Sequence, residues 1–284
     1  MGKDGRKKGR KNSRKRRARI RKRGLMVLLL LVLAVYGAGS LLFSDSERII
    51  DLSSREALED VNPDFRERLK AYAEREGREV SEWPEELVEA AEKNPETEEF
   101  VMHYPEKKDS RPPIDLNRYR NSEEVPLLLQ WDERWGYTEY AGEVMGISGC
   151  GPTCLSMVSI YLTGNPKYSP RFLAEFSKER GYYVNGKGST WTLMTEGAEA
   201  LGLTAYPIAL SENNIRTQLE NDHPVICAMS PGHFTTTGHF IVLSEYQNGK
   251  IRVRDPFSRK RSEQLWSYED ISDEISGIWA YSSF

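Results

Sequence analysis

The stretch SGCGPTCLSMVSIYLTG, residues 148–164, sets Cys150 between two glycines and ahead of Pro152. It then enters an apolar run whose Leu155, Val158, Ser159 and Leu162 fall at helical spacing. Proline suits a first helical turn, so the spacing predicts a helix from Pro152 to about Leu162 with Cys150 at its N-terminal end. The dipole and the unpaired N–H groups at a helix N-terminus favour negative charge, and a thiol attacks only as its thiolate. The same N–H groups can donate to an oxyanion, while Gly149 and Gly151 leave room for a substrate backbone to approach. The residues equally suit a turn with a small buried cysteine ahead of a core helix, and alone they leave both readings open.

Downstream, Ser169 and Pro170 open a second helix that ends before Gly181. A third is expected from Ser189 to Gly202, with Trp191, Met194, Ala198 and Leu201 on one face. Strand candidates follow in AYPIAL, PVICAM, HFIVLSEY, KIRVRD and GIWAYS. Helices first and sheet second is an α+β order, not an alternating βαβ one. HFIVLSEYQNGKIRVRD is expected to be a hairpin turning at Asn248-Gly249.

A cysteine nucleophile needs an imidazole base that a third group orients. Of the four histidines, His103 lies upstream of the domain and His223 precedes Pro224 in a turn. His233 and His239 share PGHFTTTGHFIVL; His239 leads directly into the apolar strand and is preferred as the base. His233 is an alternative base, a substrate contact or a loop residue near the cleft. With Gln247 opposite Lys250, Asp255 falls opposite Val242, three residues from the partner of His239. That offset is about 10 Å at about 3.3 Å per residue, too far for contact without twist, a bulge or another register.

Charge is unevenly shared along the 284 residues. Residues 1–24 hold 14 Lys or Arg against the single acid Asp4, whereas the remainder holds 26 bases and 42 acids. Leu25 to Phe43 is then 19 residues without a charge, enough to cross a bilayer core, which needs roughly 20 apolar residues. The basic flank places residues 1–24 as a cytoplasmic tail, 25–43 as a transmembrane helix, and everything beyond outside the cell membrane. A signal peptide cleaved near position 40 would release the same ectodomain. The basic tail serves orientation and lipid attraction in this reading, and no nucleic-acid partner is expected. Residues 44–104 read as a charged helical stalk without evident chemistry, the proline-rich 105–125 as a linker, and 126–284 as the compact domain. Three cysteines are too few, and odd, for a disulfide framework. Cys154 and Cys227 read as buried small hydrophobes, and no metal or other cofactor is expected.

Gln130-Trp131-Asp132 with Arg134-Trp135, then SGCGPT, GHFIVL and VRDP in that order, resemble the C39-like peptidases, a branch of the papain-like cysteine peptidase superfamily. The resemblance covers about the last 160 residues. It implies a helical half bearing the cysteine packed on an antiparallel sheet bearing the histidine, with the site in the cleft between them. It makes Cys150 the nucleophile, His239 the base, Asp255 the group that orients the imidazole and Gln130 a side-chain donor to the oxyanion. Gln130 stands twenty positions before Cys150, whereas in transporter-linked members the glutamine is only a few residues ahead. The chain also shows no ATPase or multi-span region, so leader processing is not expected. The expectation is a membrane-anchored extracytoplasmic hydrolase of peptide or amide bonds. The alternatives are an inactive binding module of the same fold and a transpeptidase-like acyltransferase.

Overall fold

The computed structural model describes residues 64–283. The expected transmembrane segment 25–43 lies outside the described residues; among those described, no helix is long and apolar enough to cross a membrane.

Among the described residues, four α-helices come first: α1 (Phe65–Glu76), α2 (Glu85–Lys93), α3 (Glu98–Met102) and α4 (Tyr104–Lys107). Their apolar residues do not form a separate core. Phe65, Leu69, Leu87, Ala91 and Phe100 cluster with Leu129, Trp131 and Tyr137 of the following domain. Phe100 stacks on Tyr137 at 4.4 Å between ring centroids, and the Tyr137 hydroxyl donates to the Phe100 carbonyl at 2.8 Å. Each such buried side chain contributes about 1.5–3 kcal/mol, so this segment is fixed to its neighbour. The proline-rich stretch after it is also held, because Leu116 and Val125 are buried in the main core.

The domain proper opens with the short pair β1 (Glu139–Tyr140) and β2 (Glu143–Val144), then α5 (Met145–Ser148), α6 (Cys150–Thr163) and α7 (Pro170–Arg180). Ser169 caps α7 by accepting the Phe172 N–H, as the Ser-Pro start predicts. Helix α6 begins at Cys150 rather than Pro152, and every residue from Cys150 to Ile160 is buried. A helix apolar on all sides belongs inside a core, and this one lies among α7, the pair β3 (Tyr183–Val184) and β4 (Gly188–Ser189), and the main sheet. The expected third helix is broken. A 3-10 turn spans Trp191–Leu193 and α8 covers only Glu196–Ala200. Between them Thr195 leaves helical geometry (φ −110°, ψ −86°), and the Met194 carbonyl accepts the Tyr281 hydroxyl at 2.8 Å.

The sheet contains β5 (Leu203–Pro207), β6 (Val225–Met229), β7 (His239–Gln247), β8 (Lys250–Arg254), β9 (Leu265–Trp266) and β10 (Ile275–Ser283) in the order β5-β10-β6-β7-β8-β9, all antiparallel. The α+β class is as expected. Ile226, Ala228, Phe240 and Val242 face the cluster around α6, whereas Val225, Cys227, Ile241 and Leu243 face a second cluster closed by Ile215 and Leu219. Those last two lie one turn apart on α9 (Glu212–Leu219), which the strand-centred reading of this region passes over. Two short helices, α10 (Arg259–Glu263) and α11 (Tyr268–Ile271), flank β9 between β8 and β10.

The hairpin turns at Asn248 and Gly249, both at positive φ (52° and 74°), as its primed turn requires. Its register changes along its length. Gln247 pairs Lys250 and Glu245 pairs Arg252, but beyond a bulge at Ser244 the partners become Leu243 with Val253 and Val242 with Arg254. Asp255 therefore continues opposite Ile241, not Val242, which corrects the ideal-hairpin expectation. It comes two positions from the partner of His239 instead of three. An odd offset puts two side chains on opposite faces of the pleat and an even one puts them on the same face.

Candidate active site

The conformation around Cys150 is set by close packing. A Cβ on Gly151 would sit 2.3 Å from Ser189 Oγ, and one on Gly149 would sit 2.5 Å from the Met145 carbonyl oxygen. The two glycines thus let the helix start press against β4 and the preceding turn, a structural need beside the substrate access the sequence suggests. Ser148 donates to the Tyr140 carbonyl at 2.7 Å, and the Tyr140 hydroxyl bonds both Ser177 and Ser189. Cys150 is left at the α6 N-terminus, 5% exposed, on the wall of a cleft of about 610 Å³.

Strand β7 brings His239 to the same cleft, 6% exposed. Its Nε2 is 2.8 Å from Asp255 Oδ1, a diagonal contact that the Ser244 bulge makes available. Asp255 is fully buried; Oδ1 also accepts the Phe257 N–H at 2.8 Å, and Oδ2 accepts Arg261 Nε at 2.5 Å. Burial alone would raise its pKa, but Arg261, His239 and the Phe257 N–H hold it down at about 2. Because that carboxylate is charged, His239 Nε2 carries the proton and Nδ1 is left for Cys150. Burial lowers the imidazole's pKa, yet the charge and hydrogen bond of Asp255, followed by the hydrogen bond and charge of Cys150, outweigh it and raise the value to about 9.

Gln130 also lines the cleft, with its backbone N–H on the Pro256 carbonyl at 2.8 Å. Its Nε2 donates to the carbonyls of Gly146 (3.0 Å) and Ile147 (2.9 Å), and its buried Oε1 has no partner. The structure thus brings Cys150, His239, Asp255 and Gln130 together. His233 stands apart: it is exposed, binds Glu274 through Nδ1 at 2.5 Å and is not among the residues lining the cleft. Cys154 donates to the Phe240 carbonyl and Cys227 is buried in β6; burial raises both thiols' pKa values. Among the described residues, no group of three or more His, Cys, Asp or Glu is placed to hold a metal.

Two participants escape the sequence reading. Arg261 lies on the first turn of α10 behind the Ser258 cap, which is its only local signal. Helix α2 supplies Glu86, Glu89, Ala90 and Lys93 to the cleft wall opposite the sheet's loops, so the segment expected to lack chemistry borders the site.

Among solved structures, the chain is similar to the peptidase domain of Streptococcus ComA, a bi-functional ABC transporter involved in a quorum sensing pathway. The identity is 24%, covering 48% of this chain and 93% of that one, with a TM-score of 0.38. It is also similar to a Bacillus anthracis protein described as a candidate C39-like peptidase, at 16% identity over 57% of this chain and 99% of that one, TM-score 0.36. No curated protein sequence matches it. The model of the Peptidase_C39 like family matches residues 122–284, more than half of the chain and every residue of the Cys150 cleft except those from α2. The chain belongs to the Peptidase_C39 like family.

Proposed function

We propose that the protein hydrolyses a peptide or amide bond through Cys150. The observation that carries the reading is the placement of Cys150 and His239 on the wall of one cleft, with His239 hydrogen-bonded to the buried Asp255 and Asp255 to Arg261. With Asp255 holding Nε2, the imidazolium keeps the Cys150 thiolate as an ion pair. Sγ attacks the substrate carbonyl carbon, and the oxyanion is stabilised by N–H groups at the start of α6, that of Cys150 included. The C–N bond then breaks as His239 gives its proton to the departing amine. Water, deprotonated by His239, attacks the thioester and releases the acid with the thiol restored.

Gln130 is the oxyanion donor that the resemblance implies. Its Nε2 bonds to Gly146 and Ile147 support instead a part in holding the turn ahead of Cys150, from which it would have to swing to reach an oxyanion. The charge asymmetry about residues 25–43 supports tethering of the enzyme to the outer face of a membrane. The test is release of amine from a peptide library by the full chain: Cys150→Ala should abolish it without altering the melting curve, and turnover retained in that variant would overturn the mechanism.

A further inference from the structure

The loop that carries Asp255 is clamped from outside the peptidase domain. Residues 94–97, between α2 and α3, run alongside it. The Glu96 carboxylate accepts three hydrogen bonds from the start of α10: Ser258 Oγ at 2.6 Å, the Arg259 N–H at 2.9 Å and the Lys260 N–H at 3.2 Å. Ser258 Oγ in turn accepts the Arg261 N–H at 3.2 Å. Asn94 donates to the Phe257 carbonyl at 2.7 Å, while its Oδ1 accepts the Glu96 N–H at 3.1 Å. Phe257 donates its own N–H to Asp255, and Arg261 holds the other Asp255 oxygen. Asn94 and Ser258 are buried, at 8% and 4% exposure.

From this chain of contacts we infer that Glu96 and Asn94 are positioning residues of the active site. They fix the Phe257 peptide and the first turn of α10 so that Asp255 and Arg261 meet His239 in one arrangement. The helical segment 65–107 is then a working part of the enzyme rather than a detachable spacer or propeptide, and its removal disarms the site rather than opening it. The physical reason is geometric. Helix α10 has five residues, too few to hold itself in place, since isolated short helices are marginal in water. An external carboxylate on its exposed N–H groups adds an anchor to those that Gln130 and Trp131 give the preceding residues, at the Pro256 and Phe257 carbonyls.

The inference rests on the Cys150–His239 ion pair proposed above, and one experiment separates the two. Cys150 labelling by iodoacetamide is followed by intact mass in the full chain in detergent, across about pH 5 to 9.5, for wild type, Glu96→Ala, Glu96→Gln and Glu96→Asp. The other charged groups around the cleft, Glu86, Glu89 and Lys93 of α2 and Glu143 of β2, stay in place throughout. A loosened Asp255 loop stabilises the imidazolium less. Labelling by Glu96→Ala near pH 6 should then fall about threefold to tenfold, an acid-limb shift of about half to one pH unit at tenfold per unit, with Glu96→Asp nearer wild type. At pH 9.5 the variants should converge, because an ordinary thiol with pKa of about 8.5 is ionised there. A general loss of structure would change labelling at every pH. If Glu96→Ala does not fold, the near-isosteric Glu96→Gln decides the matter on the same readout. Fast wild-type labelling at pH 6 with superimposable variant profiles overturns this inference and leaves the proposed function standing. Slow wild-type labelling below pH 7 overturns the ion pair and the inference with it.

Discussion

Replacing Asp255 by Asn changes charge and hydrogen bonding with almost no change in volume. Asp255 serves three donors, His239 Nε2 and the Phe257 N–H at Oδ1 and Arg261 Nε at Oδ2. An amide has one acceptor oxygen, so its NH2 must face either Arg261 or the His239 and Phe257 donors; neither orientation satisfies the site. The charge effect is larger. His239 lies at about 9 against an ordinary 6.5, with burial opposing the rise and Asp255 outweighing it ahead of Cys150. At about 1.4 kcal/mol per pH unit, that gap is worth about 3 kcal/mol of preference for the charged imidazole. Without Asp255 the two largest contributions that oppose burial are gone, and most of that rise is lost. The thiolate–imidazolium pair should therefore lose about two orders of magnitude in population. In Asp255→Asn, iodoacetamide labelling of Cys150 near pH 6 should fall about 100-fold, while near pH 9.5 it should stay within about threefold of wild type. Labelling at pH 6 within threefold of wild type, in a variant with an unchanged melting temperature, would refute the assignment of Asp255.

The same shifts set a pH dependence of stability. His239, raised in the folded state, contributes fully below its unfolded value of 6.5 and loses that contribution as pH climbs through about 9. Asp255, depressed, contributes above 3.8 and loses its share as pH falls through about 2. Urea midpoints should therefore be highest between about pH 4 and 6.5, and His239→Gln should flatten the alkaline decline; an equal decline in that variant would count against the pair. Gly151→Ala drives a methyl group to 2.3 Å from Ser189 Oγ, and overpacking of this kind costs about 1–3 kcal/mol. Adding Ser189→Gly should recover part of the loss in chemical denaturation, and no recovery would place the cause elsewhere. Native chain should take up one equivalent of a thiol reagent at Cys150 and three after denaturation, since Cys154 and Cys227 are buried; native labelling of two or more would contradict the packing.

The sequence is most legible where local chemistry has one solution. Ser169-Pro170 before an apolar stripe starts a helix in any context, and Asn248-Gly249 between alternating strands turns a hairpin, because both signals act over a few residues. The run from Cys150 to Gly164 was legible as a helix for the same reason. His239 was separable from His233 by the apolar strand it opens. Helix α9 and the break near Thr195 were not legible, because they answer to partners distant in sequence: Ile215 and Leu219 to the far face of the sheet, and Met194 to the hydroxyl of Tyr281.

The sequence by itself determined the α+β order, the family motifs, and Cys150 and His239 as the candidate nucleophile and base, both of which line the cleft. Whether Asp255 could reach His239 was decided only in three dimensions, because a single bulged residue at Ser244 changes the parity of the hairpin and hence the face on which every later side chain emerges. Nothing in SEYQNGKIRV announces that residue. Arg261 and Glu96 belong to the same class: one lies six residues beyond Asp255 and the other 159 before it. A buried carboxylate acquires its charge partners from whatever the fold packs against it, and the order of residues along the chain does not record that.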